Sequence, residues 1–342
     1  MDVRKSLSGP NHPQNLTPMS QIFKFTTWQT DHYRWDENYK IYTPGVGWSA
    51  FGYKNIFQLG WVGELMNTFP MIALKDTFHF NRVTSTFDFA MNRMRGASGF
   101  FYGIYADSSV RTEFRREIPT EIIKDHPDVK ISLVRKNADT LLWLLKQFLL
   151  LKEQGRASLI KPEWEEAVDG LANAFVNTWR KYGELGQYID PATGEIVIYN
   201  STSGAIAPAG LALASKYFNK QEYLQAALEI GNFYYTRDVA AHGFTSGHCA
   251  DISQDADSES AFGLLESFMA LYWATADKEW LNKARVQAAL CSSWTLSYDY
   301  PFPPQSDLAR IGVHAAGAVF ASSQNKHAAP GICNASGDYL FK

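Results

Sequence analysis

Residues 137–297 repeat one pattern three times, an apolar helix followed by an amphipathic helix. The apolar helices are predicted at 137–152, 203–218 and 258–276. The amphipathic helices follow them at 162–181, 220–238 and 279–297. An aromatic residue near the start of each amphipathic helix recurs about every sixty residues, as Trp164, Tyr223 and Trp280. Two antiparallel helices make a helical hairpin, so the repeat predicts a mainly α protein of stacked hairpins.

The two helices of each pair differ in how their apolar side chains are distributed. The helix at 258–276 is apolar in nearly every direction, as a helix buried in the core is. The second helix of each pair is apolar on one face only, as a helix at the surface is. We therefore expect an inner ring of apolar helices and an outer ring of amphipathic ones. The long loops after the outer helices favour a toroid, with those loops gathered where the inner helices begin.

The chain before residue 137 is less regular. We expect residues 1–20 to form a flexible tail and residues 21–342 to form a single α/α-toroid catalytic domain. The lead-in, residues 21–54, is rich in aromatic residues and is punctuated by Gly45, Gly47 and Gly52, which predicts short strands and loops. Residues 55–74 have the apolar spacing of a helix, with Pro70 distorting its last turn.

Composition argues against several classes of protein. The net charge is -3 and no basic stripe is present, so we expect no nucleic-acid partner. We expect no membrane span and, with no signal peptide visible, a cytoplasmic location. The three cysteines are too few and too far apart for a disulfide framework or a zinc site, and no nucleotide or metal motif is present, so we expect no cofactor and no metal. Aromatic residues make up 14% of the chain, which suits surfaces that stack against sugars.

Three carboxylates stand at alternate positions where the inner helix at 258–276 begins: Asp255, Asp257 and Glu259. Carboxylates this close can shift each other's pKa values. Asp139 occupies the same position in an earlier inner helix. A purely structural interpretation is equally open, with Asp257 as a helix cap and the other acids interacting with helix dipoles. We predict Asp257, Glu259 and Asp139 as candidate catalytic residues.

The alternating inner and outer helices resemble those of the six-hairpin glycosidase superfamily of (α/α)6 toroids. The acidic segment 255–259, the aromatic segment 48–61 and the loop 324–331 add to this resemblance. The resemblance implies a carbohydrate-active protein that cleaves a glycosidic bond with carboxyl groups. We count about five inner helices, and residues 336–342 look like the start of another. We therefore expect a toroid that is incomplete at its C-terminus, with exposed apolar surface that another molecule, such as a second copy, would cover.

The remaining candidates would bind the sugar. They are aromatic platforms, hydrogen-bonding side chains and loop histidines: Trp35, Trp48, Lys136, Asn137, His248, Asp255, Asn325 and His327. For a single loop histidine a structural or solvated role is the simpler interpretation. The basic residues Lys54 and Lys136 are the reason to consider a substrate that contains uronic acid.

These features predict a glycoside hydrolase that acts on an oligosaccharide or polysaccharide fragment by carboxyl general acid–base catalysis. A sugar epimerase or a polysaccharide lyase is an alternative, because one fold hosts many activities. Those reactions need a base that removes a carbon-bound proton, so His248 and His327 would then be central. A non-catalytic, carbohydrate-binding scaffold is the third possibility.

Overall fold

The computed structural model describes residues 18–43, 54–61, 63–107, 118–119, 121–123, 126–247 and 254–324. It is a toroid of helical hairpins, as predicted. The inner layer of the described part consists of α2 (Glu64–Asn67), α3 (Phe69–Ala73), α5 (Val134–Glu153), α7 (Ala207–Phe218) and α9 (Ser258–Thr275). The outer layer consists of α4 (Thr77–Arg93), α6 (Pro162–Tyr182), α8 (Gln221–Tyr234) and α10 (Lys278–Ser293). A π-helical segment, Tyr235–Ala240, extends α8.

Burial separates the two layers. Every residue of α9 from Ser258 to Phe268 is buried, whereas α10 buries a single face that includes Trp280 and Cys291. The same contrast distinguishes α5 from α6 and α7 from α8. The inner helices α5, α7 and α9 pack against one another in sequence order. The predicted assignment of inner and outer helices is therefore confirmed.

The helices begin and end at residues that satisfy their terminal backbone groups. Asp257 caps α9 by accepting a hydrogen bond from the backbone N–H of Ser260, and Asp76 caps α4 through the N–H of His79. Pro162 stands in the first turn of α6, where its missing N–H costs nothing, and Gly183 ends that helix with a φ of 69°. These local signals explain why the predicted hairpin boundaries are close to the observed ones.

In the described part of the chain, the strands form three antiparallel sheets. The first joins β1 (Trp35–Asp36) to β2 (Ile41–Tyr42). The second has the order β3 (Lys54–Gln58), β4 (Ile104–Asp107) and β5 (Ile118–Pro119). The third has the order β6 (Glu121–Ile123), β7 (His126–Leu133), β8 (Tyr188–Ile189) and β9 (Ile196–Ile198). Because β7 leads directly into α5 and pairs with β8, the third sheet fixes the start of α5.

The lead-in, residues 21–54, differs from expectation in one part. The strands β1 and β2 agree with the prediction, but Met19–Tyr33 form a helix, α1. Aromatic residues favour strands, which explains the prediction. Phe25, Trp28 and His32, however, recur at helical spacing and contact one another along one side of α1.

The predicted helix at 55–74 is wrong over its first half. Residues 54–58 form β3, and the helical part begins at Glu64. Between them Gly60 and Trp61 both have positive φ, 53° and 54°, which no right-handed helix accommodates. Pro70 stands in the first turn of α3, where it is tolerated, so it does not distort a last turn.

Apolar side chains are exposed on α1 and on the last described hairpin, formed by α9 and α10. In α1 the most exposed are Met19 and Tyr33, and in α9 Trp273 is 57% exposed. The incomplete toroid and the burial of apolar surface by a second copy stay predictions. Among the described residues, no helix combines the length and hydropathy that crossing a membrane requires.

Candidate active site

A buried group of three charged side chains joins two inner helices. The Nε of Arg135 donates to Oδ2 of Asp139 at 2.9 Å, and Nη1 of the same guanidinium pairs with Oε2 of Glu259. Arg135 is 1% exposed, Asp139 0% and Glu259 2%. Charges at such depth require partners, and here one cation is shared by two carboxylates.

The fold explains why these three residues meet. Arg135 and Asp139 are four residues apart in the first two turns of α5, so they lie on the same side of that helix. Glu259 stands in the first turn of α9. Two hydrogen bonds from backbone N–H groups hold the start of α5. The N–H of Val134 donates to the carbonyl of Gln187, and the N–H of Arg135 donates to the hydroxyl of Ser203. The group therefore lies where inner helices begin, at the end predicted to collect polar side chains.

Trp61 completes the group from a third element, the turn after β3. Its backbone N–H donates to Oδ2 of Asp139 at 2.7 Å, and its indole Nε1 donates to Oε1 of Glu259 at 3.2 Å. Trp61 is partly exposed, unlike the three charged residues. Sequence analysis predicted Asp139 and Glu259 and placed them on different inner helices. It missed Arg135, and it included Trp61 only as the last residue of the aromatic segment 48–61.

The two oxygens of Asp139 have different surroundings. Oδ2 accepts from both Arg135 and Trp61, whereas Oδ1 is buried and has no hydrogen-bond partner among the described residues. Burial raises the pKa of Asp139, although Arg135 and the N–H of Trp61 act in the opposite direction. At Asp139 the effect of burial on the pKa outweighs the effect of these two donors. Oδ1 is thus a buried carboxyl oxygen that no described donor occupies.

Asp257 has a structural role in this arrangement. It is fully buried, and its Oδ1 accepts from the N–H of Ser260 at 2.6 Å, which makes it the N-cap of α9. Its own N–H donates to the carbonyl of Thr245. The carboxylate of Asp257 is thus engaged with the helix end, and its predicted catalytic role stays a prediction.

Asn137 and Lys136, two predicted sugar-binding residues, are buried at the start of α5. The amide of Asn137 accepts from the N–H of Phe101 at 2.7 Å, and it donates to the carbonyl of Phe101 and to the hydroxyl of Ser132. The side chain of Asn137 therefore fastens the segment around Phe101 to the inner ring. The carbonyl of Lys136 accepts from the hydroxyl of Thr140.

The other predicted sugar-binding residues are dispersed or lie outside the described residues. Trp35 is half-buried in β1, where it packs edge-on against Tyr42 and under the guanidinium of Arg82. Asp255 is half-buried, and its carbonyl accepts from the N–H of Gly247. The candidates outside the described residues are Trp48, His248, Asn325 and His327.

A separate cavity of about 750 Å³ opens toward the C-terminal ends of α5, α7 and α9. An ion pair between Lys146 and Glu266, 2.8 Å apart, lies in its wall, and Trp273 also lines it. It is thus distinct from the Arg135 group at the N-terminal ends of α5 and α9. Within the described ranges no cluster of three or more acidic, histidine or cysteine side chains is arranged to hold a metal ion.

Comparisons with known proteins support the architecture. No protein-family model and no curated protein matches the chain by sequence. By structure the chain is similar to D-mannose isomerase, with 12% identity, a TM-score of 0.55 and coverage of 81% of this chain and 67% of the isomerase. It is also similar to an unsaturated glucuronyl hydrolase specific for heparin, with 14% identity, a TM-score of 0.53 and coverage of 81% and 72%. The chain therefore shares the helical-toroid fold of these proteins.

A further six-hairpin neighbour is a family 76 mannosidase from Bacteroides thetaiotaomicron. It has 11% identity and a TM-score of 0.52, with coverage of 83% of this chain and 74% of the mannosidase. At these identities the similarity shows the fold alone. The resemblance noted in the sequence is therefore confirmed at the level of the toroid fold, and the named neighbours include both hydrolases and an isomerase.

Proposed function

We propose that this protein is a glycoside hydrolase that acts on an oligosaccharide or a polysaccharide fragment, with Asp139 as general acid and Glu259 as its partner carboxylate. The observation that carries the proposal is the Arg135 group. Two buried carboxyl groups from different inner helices share one guanidinium, and the raised pKa and unpartnered Oδ1 of Asp139 suit it to deliver a proton. The hydrolases among the six-hairpin neighbours support this choice.

The proposed reaction needs one proton donor and one carboxylate. Asp139 gives its Oδ1 proton to the glycosidic oxygen as the bond from that oxygen to the anomeric carbon breaks. Glu259 then either removes a proton from the attacking water or itself bonds to the anomeric carbon. The positive charge of Arg135 stabilises Asp139 as it becomes negative.

The test is turnover on a panel that includes α-mannosides, unsaturated glucuronyl oligosaccharides and D-mannose. A new reducing end identifies hydrolysis, a new unsaturated uronate identifies a lyase, and an isomerised monosaccharide identifies the alternative isomerase or epimerase. On a substrate that is hydrolysed, Asp139→Asn and Glu259→Gln are expected to lower kcat by roughly 10²–10⁴-fold.

The matched control is Glu266→Gln. Glu266 is another buried carboxylate of α9, 3% exposed, but it pairs with Lys146 at the separate cavity. It should retain most of the turnover. If Asp139→Asn and Glu259→Gln both keep full turnover, the proposed site is rejected, and the search moves to His248 and His327.

A further inference from the structure

The turn that carries Trp61 is locked against the start of α5. Gly60 and Trp61 both have positive φ, and a tryptophan rarely adopts that backbone conformation. A Cβ added to Gly60 would lie 2.5 Å from the carbonyl oxygen of Lys136, so only glycine allows the two backbones to approach this closely. Gly63 packs as tightly against the carbonyl of Gln58. The chain therefore holds an unfavourable conformation that places Trp61 over α5.

In this position Trp61 donates one N–H group to each carboxylate. The backbone N–H binds Asp139 at Oδ2, and the indole N–H binds Glu259 at Oε1. With the two bonds from Arg135, each oxygen of Glu259 accepts one N–H, whereas Asp139 accepts two at Oδ2 and none at Oδ1 from the described residues. Without the indole bond, each carboxylate would have one oxygen that the described donors leave unoccupied.

We infer that Trp61 is a positioning residue that makes the two carboxylates unequal. Its indole N–H occupies the remaining oxygen of Glu259. Oδ1 of Asp139 is then the oxygen of the pair that holds the proton. The inference rests on the proposed function, in which Asp139 is the acid. In this inference Trp61 takes no part in the reaction itself. It makes Asp139 the acid and Glu259 the ionised carboxylate. It also explains why an unfavourable backbone is kept at this point of the chain.

Trp61→Phe tests the inference, because it removes the indole N–H and keeps an aromatic ring. The matched control is Trp179→Phe in the outer helix α6, which removes an indole bond of the same kind, from Nε1 to Oε2 of Glu229 at 2.7 Å. We expect Trp61→Phe to lower kcat roughly 10–100-fold with little change in KM, as loss of an orienting partner typically does. Trp179→Phe should leave both constants close to those of the unmodified protein.

An NMR measurement provides a readout that does not depend on turnover. The indole N–H resonance of Trp61 is identified by its absence in Trp61→Phe. It should move in Glu259→Gln and stay in place in Glu266→Gln. If the resonance does not respond to Glu259→Gln, or if Trp61→Phe keeps the full kcat, the inference is overturned.

The outcomes also separate this inference from the proposed function. Full turnover in Asp139→Asn and Glu259→Gln refutes the function itself. Loss of turnover in those two variants with full turnover in Trp61→Phe refutes only the role of Trp61. If Trp61→Phe impairs folding, Trp61→His is the deciding variant, because histidine keeps a ring N–H donor. Turnover in this variant supports positioning by the N–H. A folded Trp61→His protein without turnover overturns the inference.

Discussion

Arg135 and Glu259 are 124 residues apart in the sequence and form a buried ion pair that joins two inner helices. Asp139 binds the same guanidinium from the α5 side. Glu259 stands in the first turn of α9, where the helix dipole favours negative charge, whereas Asp139 lies in the second turn of α5. The candidate site is thus created by the packing of hairpins and is not contained in any single one.

Asp139→Asn is expected to stabilise the protein at neutral pH. The raised pKa means that Asp139 holds its proton more tightly in the folded protein than in the unfolded chain. The contribution of this carboxyl group to the free energy of unfolding is therefore fully present below the unfolded pKa. It is lost as the pH rises through the folded pKa. Asparagine is always neutral and avoids this loss. The melting temperature of the variant should exceed that of the unmodified protein at pH 7, and the gap should shrink below about pH 4. A variant that melts lower at pH 7 would contradict a protonated Asp139.

Asp257→Ala is expected to destabilise the protein by about 1 kcal/mol, because the N–H of Ser260 loses its cap. Asp257→Asn should keep most of the stability, since asparagine caps a helix about as well as aspartate. Urea unfolding measures both. If Asp257 is only a cap, the Asn variant also keeps its turnover; a folded Asn variant without turnover would instead establish the catalytic role predicted for this residue.

Trp179→Phe is expected to lower the protein's stability above about pH 4. The indole N–H of Trp179, with help from Gln225 and Arg180, lowers the pKa of Glu229 to about 2. A lowered carboxyl pKa gives stability above the unfolded value, about 4.3, and that stability is lost as the pH falls toward 2. The melting temperatures of the two proteins should differ at pH 5 and converge near pH 2. A difference that does not change with pH would point to lost packing instead.

Gly60→Ala should destabilise the protein more than Gly155→Ala does. Both glycines have positive φ, so both variants incur the cost of a left-handed alanine, about 1–2 kcal/mol. Only at Gly60 does the added Cβ meet the backbone of Lys136; at Gly155 nothing lies within 4 Å. The difference between the two free energies of unfolding, measured in urea, therefore reports the close approach. Equal losses would show that the turn can move away from α5.

Much of the fold follows from periodicity, and the site follows from it only in part. Asp139 and Glu259 could be predicted because both stand within the first two turns of inner helices. Arg135 could not, because its role depends on which way the first turn of α5 faces, and β7 and β8 decide that. The role of Trp61 was not predicted because the apolar residues around it have helical spacing. Gly60 and Gly63 beside it were nevertheless a signal for a turn.

The span between Arg135 and Glu259 also has a consequence during synthesis. Ribosomes add about 5–20 residues per second, so α5 leaves the ribosome on the order of ten seconds before α9 does. During that interval the guanidinium of Arg135 has Asp139 as its carboxylate partner within α5, and the Glu259 side of the pair is still to be made. A nascent chain that ends before α9 therefore cannot hold the complete Arg135 group.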